Sequence, residues 1–181
     1  MIPFKSIKVN HDKLGRSLTY IAVAKNPLLS GVTIQEMLKL SQRKNNCDLR
    51  ICLHRNTDEH LHQMIILHHK GIYRRPQKHI YRDEAYQIIA GRMVLFLFDA
   101  KGNVNNAEIL AKNGNFICRI GRGFWHLTIP LTAYVIFQEI KSGKFNRSLD
   151  AVYPSWAPAG DNQAENKVYY QKLLKRVIKT G

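Results

Sequence analysis

The chain has 181 residues, a 45% hydrophobic share, and 28 Lys and Arg against 13 Asp and Glu, for a formal charge of +15. That composition suffices for one domain with a real core, and no apolar run approaches the roughly 18 residues that a membrane-crossing helix needs. Cys47, Cys52 and Cys118, odd in number and without a Cys-x-x-Cys spacing, point to ordinary thiols rather than a disulfide framework or a zinc knuckle. The start, Met1-Ile-Pro-Phe-Lys-Ser6, carries no apolar segment behind a basic one, so a cytoplasmic protein is expected. Basic residues run from Lys5 to Lys179 without forming a block. This reads as a solvated surface that favours sugar or phosphorylated small-molecule ligands over a dedicated nucleic-acid footprint.

Residues 1–31 form an N-terminal extension with strand-like stretches at Phe4 to Val9 and Ser17 to Ala24, followed by turn chemistry at Asn26-Pro27 and Ser30-Gly31. Thr33 with Glu36 three residues on is a capping box, and Val32 with Met37 is spaced as a hydrophobic staple, so a helix is expected from Ile34 to about Gln42. From Cys47 the period becomes strand-like. Leu49, Ile51 and Leu53 alternate with Arg50, Cys52 and His54, and Met64 to Leu67, Gln87 to Ile89, Met93 to Phe98 and Ala133 to Ile140 are further strand-sized runs. Turns are expected at Asp99 to Asn103 and Asn113 to Asn115. Closely spaced short strands make residues 32–160 a mainly β, antiparallel jelly-roll barrel with a preceding helix. Tyr153 to Gly160 should pack its aromatics on the barrel. Asp161 then caps a helix over 161–181, whose stripe of Tyr170, Leu173, Leu174, Val177 and Ile178 docks on the barrel wall, with Lys167, Lys172, Lys175, Arg176 and Lys179 wet.

The chemistry concentrates between Gly71 and Gly91. Residues two apart in a strand share a face, so Tyr73, Arg75, Gln77 and His79 would line one side of a regular strand, and Glu84, Tyr86 and Ile88 one side of the next. Gly121-Arg-Gly123-Phe-Trp-His126 is a tight turn leading into a strand on which His126 and Thr128 share a face. Should these faces turn inward, His79, Glu84 and His126 form a facial triad suited to Fe, Mn, Ni or Zn with positions left open. The competing reading is a hydrogen-bonded cluster in a metal-free lumen. His60 with His62 and His68 with His69 lack a following carboxylate and read as surface residues. Glu139 and Lys141 share a face of the last strand. In the lumen they would need each other or a substrate; at the rim they would be wet. Arg75 has the parity of the ligands and could meet an anionic group, which leaves Arg74 to solvent.

Gly71, Gln77, His79, Glu84 and Gly91 are similar in spacing to the first cupin motif, with glutamine in place of the usual first histidine. Gly121-x-Gly123-x-x-His126 resembles the second, with Gly121 for the common proline and Pro130 for the usual asparagine. The helix leading to Leu53-His54, Gln63-Met64, Tyr73-x-Arg75-Pro76, Phe137-x-Glu139-x-Lys141-x-Gly143 and Trp156-Ala-Pro158 together resemble the WbuC family of cupin-fold metalloproteins over about residues 33 to 175. The resemblance implies a cupin jelly roll holding a divalent metal through His79, Glu84 and His126, with Gln77 as a weaker fourth ligand or hydrogen-bond partner. It implies a role in bacterial O-antigen or lipopolysaccharide metabolism on a sugar or nucleotide-sugar, and a homodimer. On that reading Tyr73 and Arg75 contact the ligand, and Glu139, Lys141 or Tyr86 moves protons. A non-catalytic ligand-binding cupin with a degenerate metal site and an Fe(II) oxygenase are the alternatives.

Overall fold

The structure, a computed structural model, describes residues 4–13, 17–146 and 148–178. Its strands are β1 (Val9–Asp12), β2 (Leu18–Ala22), β3 (Leu49–Cys52), β4 (Leu61–His69), β5 (Glu84–Ala90), β6 (Arg92–Phe98), β7 (Val104–Ala111), β8 (Ile117–Ile120), β9 (Trp125–Pro130) and β10 (Tyr134–Ser142). Helix α1 (Gly31–Arg43) lies between β2 and β3, and α2 (Gln163–Ile178) follows β10. A seven-stranded sheet of order β1-β2-β3-β4-β10-β5-β8 faces a three-stranded sheet of order β7-β6-β9. Every pairing is antiparallel except β2 with β3. This is the jelly-roll barrel expected from the strand pattern, and the N-terminal stretch contributes its first two strands to the edge of the larger sheet.

Three apolar layers hold the molecule. Outside the large sheet, Leu49, Ile51, Ile65, Leu67 and Ile136 pack against Met37 and Leu40 of α1 and against Phe4 and Tyr20. Between the sheets, Met64, Ile66, Ile88 and Phe137 meet Met93, Leu95 and Leu110. Outside the small sheet, Val94, Phe96, Phe98, Leu127 and Ile129 lie beneath Tyr170 and Leu173 of α2. Each such side chain contributes about 1.5–3 kcal/mol on full burial, so both sheets are covered on both faces over their central strands. That is why β4 and β6 read as continuous apolar runs instead of alternating ones.

Two helix starts differ from the sequence reading. Ser30, not Thr33, is the N-cap of α1, and the Thr33 hydroxyl accepts a hydrogen bond from the Ser30 N–H at 3.3 Å. Glu36 is thereby free to accept from the N–H groups of Lys5 and Ser6 at 2.9 and 3.2 Å, which pins the N-terminal segment onto the helix. Val32 is exposed, so there is no staple to Met37. Asn162 rather than Asp161 caps α2, its side-chain oxygen accepting from the N–H groups of Ala164 and Glu165 at 3.0 and 3.2 Å. Tyr170 and Leu173 are buried and Leu174 and Val177 pack against the same cluster, while Lys167, Lys172, Lys175 and Arg176 are exposed. The Ile178 side chain and Lys179 lie outside the described residues. Trp156 packs on Phe98 and Trp125, at ring-centroid distances of 5.2 and 5.9 Å.

Candidate metal centre

Strand β10 runs between β4 and β5, and its register sets out the floor of the site. Lys141 is paired with His62 on one side and Glu84 on the other; Glu139 is paired with Met64 and Tyr86. Phe137, two residues further along, is in the core between the sheets, so by the period of two Glu139 and Lys141 face inward as well. Both are buried. On the opposite sheet, His126 is paired with Leu97 of β6 and has the inward parity of Thr128 and Leu95.

His79 arrives by a different route. Residues 72–76 form no strand, and Gln77 is joined to His126 by an isolated bridge in which each N–H donates to the other's carbonyl, at 3.0 and 2.9 Å. Gly123, at a φ of +84°, donates its N–H to the His79 carbonyl at 2.6 Å. A positive φ is inexpensive only for glycine, so the turn before β9 is what seats the two histidines beside each other. Their rings lie 5.6 Å apart.

His79, Glu84 and His126 are buried and each offers a ligand atom within 4.8 Å of the others; no further such group of His, Cys, Asp or Glu occurs among the described residues. Both histidines have Nδ1 tied to backbone, that of His79 to the Asp150 carbonyl and that of His126 to the Phe124 carbonyl at 3.0 Å. Nδ1 must therefore carry the proton, and in the neutral ring Nε2 presents a lone pair. Those lone pairs converge on a carboxylate: His126 Nε2 is 2.7 Å from Glu84 Oε1, and His79 Nε2 is 3.5 Å from Oε2. Both Glu84 oxygens and His126 Nε2 are fully buried without a hydrogen bond of good geometry. Three electron-rich groups facing one another call for a cation, and a two-imidazole, one-carboxylate set fits a divalent transition ion.

The electrostatics follow from this crowding. Burial pushes the Glu84 carboxyl up, but His126 and Lys141 beside it more than offset that and hold it far below the usual carboxylate range. Burial pulls His126 down, and Glu84 outweighs it to leave the ring raised. His79 is lowered, by burial and then by Lys141. Lys141 is raised despite burial, because Glu139 and Glu84 flank it, each with an oxygen 3.5 Å from Nζ. Tyr86 is pushed well above its ordinary value by burial and by Glu84 and Glu139.

Of the other residues singled out in the sequence, Gln77 joins the triad, its Nε2 3.5 Å from His79 Nε2. Tyr73 and Arg75 do not: the Tyr73 hydroxyl donates to the Pro158 carbonyl at 2.8 Å and its ring packs on Tyr170, while Arg75 binds the Pro154 carbonyl and lies over Tyr153. Parity fails because it presumes a regular strand, and residues 72–76 are irregular. Arg74, expected in solvent, is instead paired with Asp48 at 2.5 Å. The histidines read as surface residues also differ. Only His60 is exposed; His62 stacks on His54 at 4.1 Å, and the buried His69 has its Nε2 2.7 Å from the Ser41 hydroxyl. Asp150 and Arg82 were not legible in advance. The Asp150 carbonyl orients His79 while its carboxylate takes Arg82 Nη1 at 2.9 Å, and a backbone carbonyl leaves no mark in a sequence.

The profile of a domain of unknown function, DUF6016, matches residues 33–110, which include Gln77, His79 and Glu84. No curated protein matches the sequence significantly. Among solved structures, CapF, the capsular polysaccharide assembling protein of Staphylococcus aureus, aligns at 12% identity with a TM-score of 0.50, covering 60% of this chain and 29% of CapF. CapF crystallised with 3-isopropenyl-tropolone aligns at the same identity and TM-score, over 60% and 31% of the two chains. The chain thus spans less than a third of the length of these structures, and the likeness is one of fold, the cupin barrel. No described helix is long and apolar enough to cross a membrane.

Proposed function

We propose that this protein is a divalent-metal cupin that binds or transforms a sugar or nucleotide-linked sugar in bacterial envelope polysaccharide metabolism, as members of the WbuC family are associated with. The observation that carries the metal reading is the pair of histidines whose Nδ1–H groups are spent on the Asp150 and Phe124 carbonyls, leaving both Nε2 atoms directed at buried Glu84. His79, Glu84 and His126 would hold the ion, with Gln77 within reach of the same position. A sugar substrate is supported by the motif resemblance and by the capsular polysaccharide assembly named for CapF, whose barrel is similar.

When bound, the ion supplies Lewis-acid polarisation of a carbonyl or hydroxyl. The chain supplies the rest. Lys141 holds Glu84 Oε2 and fixes the carboxylate's orientation. Tyr86, raised far above its ordinary value, stays protonated at neutral pH and offers a hydroxyl rather than a phenolate. Glu139 is the carboxylate left to accept a proton once Glu84 is committed, and Lys141 beside it disperses its charge.

A second reading has its own observation. His126, raised by Glu84, can be an imidazolium at 2.7 Å from the carboxylate, which balances the charge of the pair without metal and suits a non-catalytic ligand-binding cupin. Metal analysis of protein purified without a nickel column separates the two. The metal reading expects near-stoichiometric ion in wild type and its loss in His79→Ala and Glu84→Ala. Sub-stoichiometric metal, unchanged by either substitution, would leave the ion-pair reading.

A further inference from the structure

The loops that hold the triad also carry bulky apolar side chains into solvent. Leu61, Ile80, Tyr81, Phe124 and Leu149 are between 37% and 66% exposed. Ile80 and Tyr81 follow His79, Phe124 lies two residues before His126, Leu149 precedes Asp150 and Leu61 precedes His62. Hydrogen bonds gather these loops at one end of the barrel. Gly123 N–H donates to the His79 carbonyl, Arg122 N–H to Asp83 Oδ1 at 2.9 Å, and Asp83 N–H to the Ser142 hydroxyl at 3.1 Å, while Ser142 is paired with Leu61.

Basic groups are interleaved with them. The Arg119 side chain is 76% exposed, and Arg122 and Lys144 are exposed too. Of the acids here, Asp83 is engaged by Arg119 at 3.3 Å and by the Arg122 N–H, Asp150 by Arg82 at 2.9 Å, and Glu59 by Arg55 at 3.6 Å. Scattered apolar residues need no explanation, but a cluster at one end with a cationic border marks an interaction surface. A second copy docked there about a two-fold axis would bring one basic border against another. The side chains project from three separate loops and the first residue of β4 rather than lining a slot for a strand or helix. Aromatic and aliphatic groups bordered by Arg and Lys match an interface that is apolar beneath and negative at its surface. We propose that this end of the barrel, whose loops hold the triad, docks on an anionic phospholipid membrane. The docking stands independently of the metal reading.

Co-sedimentation with vesicles tests it. Full-length protein is mixed with vesicles of phosphatidylcholine alone, or of equal parts phosphatidylcholine and phosphatidylglycerol, at low and high salt. The expected result is pelleting with the anionic vesicles only, weakened by salt. Tyr81→Ser combined with Leu61→Ser should lower the partition coefficient about tenfold or more, since two large apolar contacts are lost, and Arg119→Gln with Arg122→Gln should lower it and flatten its salt dependence. Lys172→Glu with Lys175→Glu on α2 should change it little. Metal content and melting temperature, read on the same samples, should match wild type, so failure of the metal reading would be seen separately. The proposal is overturned if anionic vesicles pellet no protein, if the α2 pair abolishes pelleting while the apolar pair leaves it intact, or if Tyr81→Ser with Leu61→Ser instead converts a dimer in solution to a monomer.

Discussion

Lys141 and Glu84 stand opposite each other across the β10–β5 register, with Nζ 3.5 Å from Oε2 and both side chains buried. The same ammonium is 3.5 Å from Glu139 Oε1, so one cation serves two carboxylates inside the barrel. Burying charge is costly unless it is paired, and removing one partner leaves the remainder uncompensated.

Replacing that cation should therefore be severe. Lys141→Met is expected to destabilise the fold by about 3–5 kcal/mol, the usual cost of orphaning a buried charge, and adding Glu139→Gln should recover part of the loss. Urea unfolding of the two variants checks this. An unchanged midpoint in Lys141→Met would mean that water or another group already compensates Glu84 and Glu139.

Acid sensitivity should trace to the stacked histidines. Burial and then His62 lower His54 from 6.5 to about 4, and burial and then Arg82 lower His62. The unfolded chain takes up protons near 6.5 that folded His54 refuses until about 4, so this pair's contribution is present above pH 6.5 and declines through that interval on acidification. With chelator present throughout, His54→Gln should lose less stability than wild type between those pH values. Parallel melting-temperature profiles for the two proteins would contradict the assignment.

Much of the barrel and its triad was legible because the relevant signals are local. The spacing from Gly71 to Gly91 and the Gly121-x-Gly123 turn fix His79, Glu84 and His126 through backbone geometry that only a few residues permit. Lys141 and Glu139 were ambiguous because their face depends on the β10 register, a non-local property. Misplaced His62 and His69 have a related cause: β4 is covered on both faces, by α1 outside and the opposite sheet inside, so polarity no longer marks the wet side. Strand β7 had no apolar run to announce it, since only Leu110 in it is buried.

The two motif glycines should respond differently to the same change. Gly71 has a φ of +87° with nothing within 4 Å of a built Cβ, whereas Gly91, at +78°, would place a Cβ 2.3 Å from the Tyr134 carbonyl oxygen. Asn tolerates the left-handed region, so Gly71→Asn should cost less than about 1 kcal/mol. Gly91→Asn must displace the start of β10 and should cost several times more. Chemical denaturation of both variants reads the difference, and equal losses would mean that backbone conformation rather than close approach dictates Gly91.

In the proposed metal centre Gln77 is expected to tune affinity. Its amide lies 3.5 Å from His79 Nε2, where it can donate to the lone pair or, with the amide turned over, direct Oε1 to the same place. An amide oxygen is a neutral, weaker donor than imidazole, so Gln77→His should bind Zn(II), Ni(II) or Co(II) more tightly than wild type. Gln77→Ala should weaken binding by about 10–100-fold, the usual cost of losing an outer partner of a ligating histidine. Calorimetric titration of metal into chelator-stripped protein measures both. Affinities unchanged in both variants would confine Gln77 to its backbone bridge with His126 and leave His79, Glu84 and His126 as the whole of the centre.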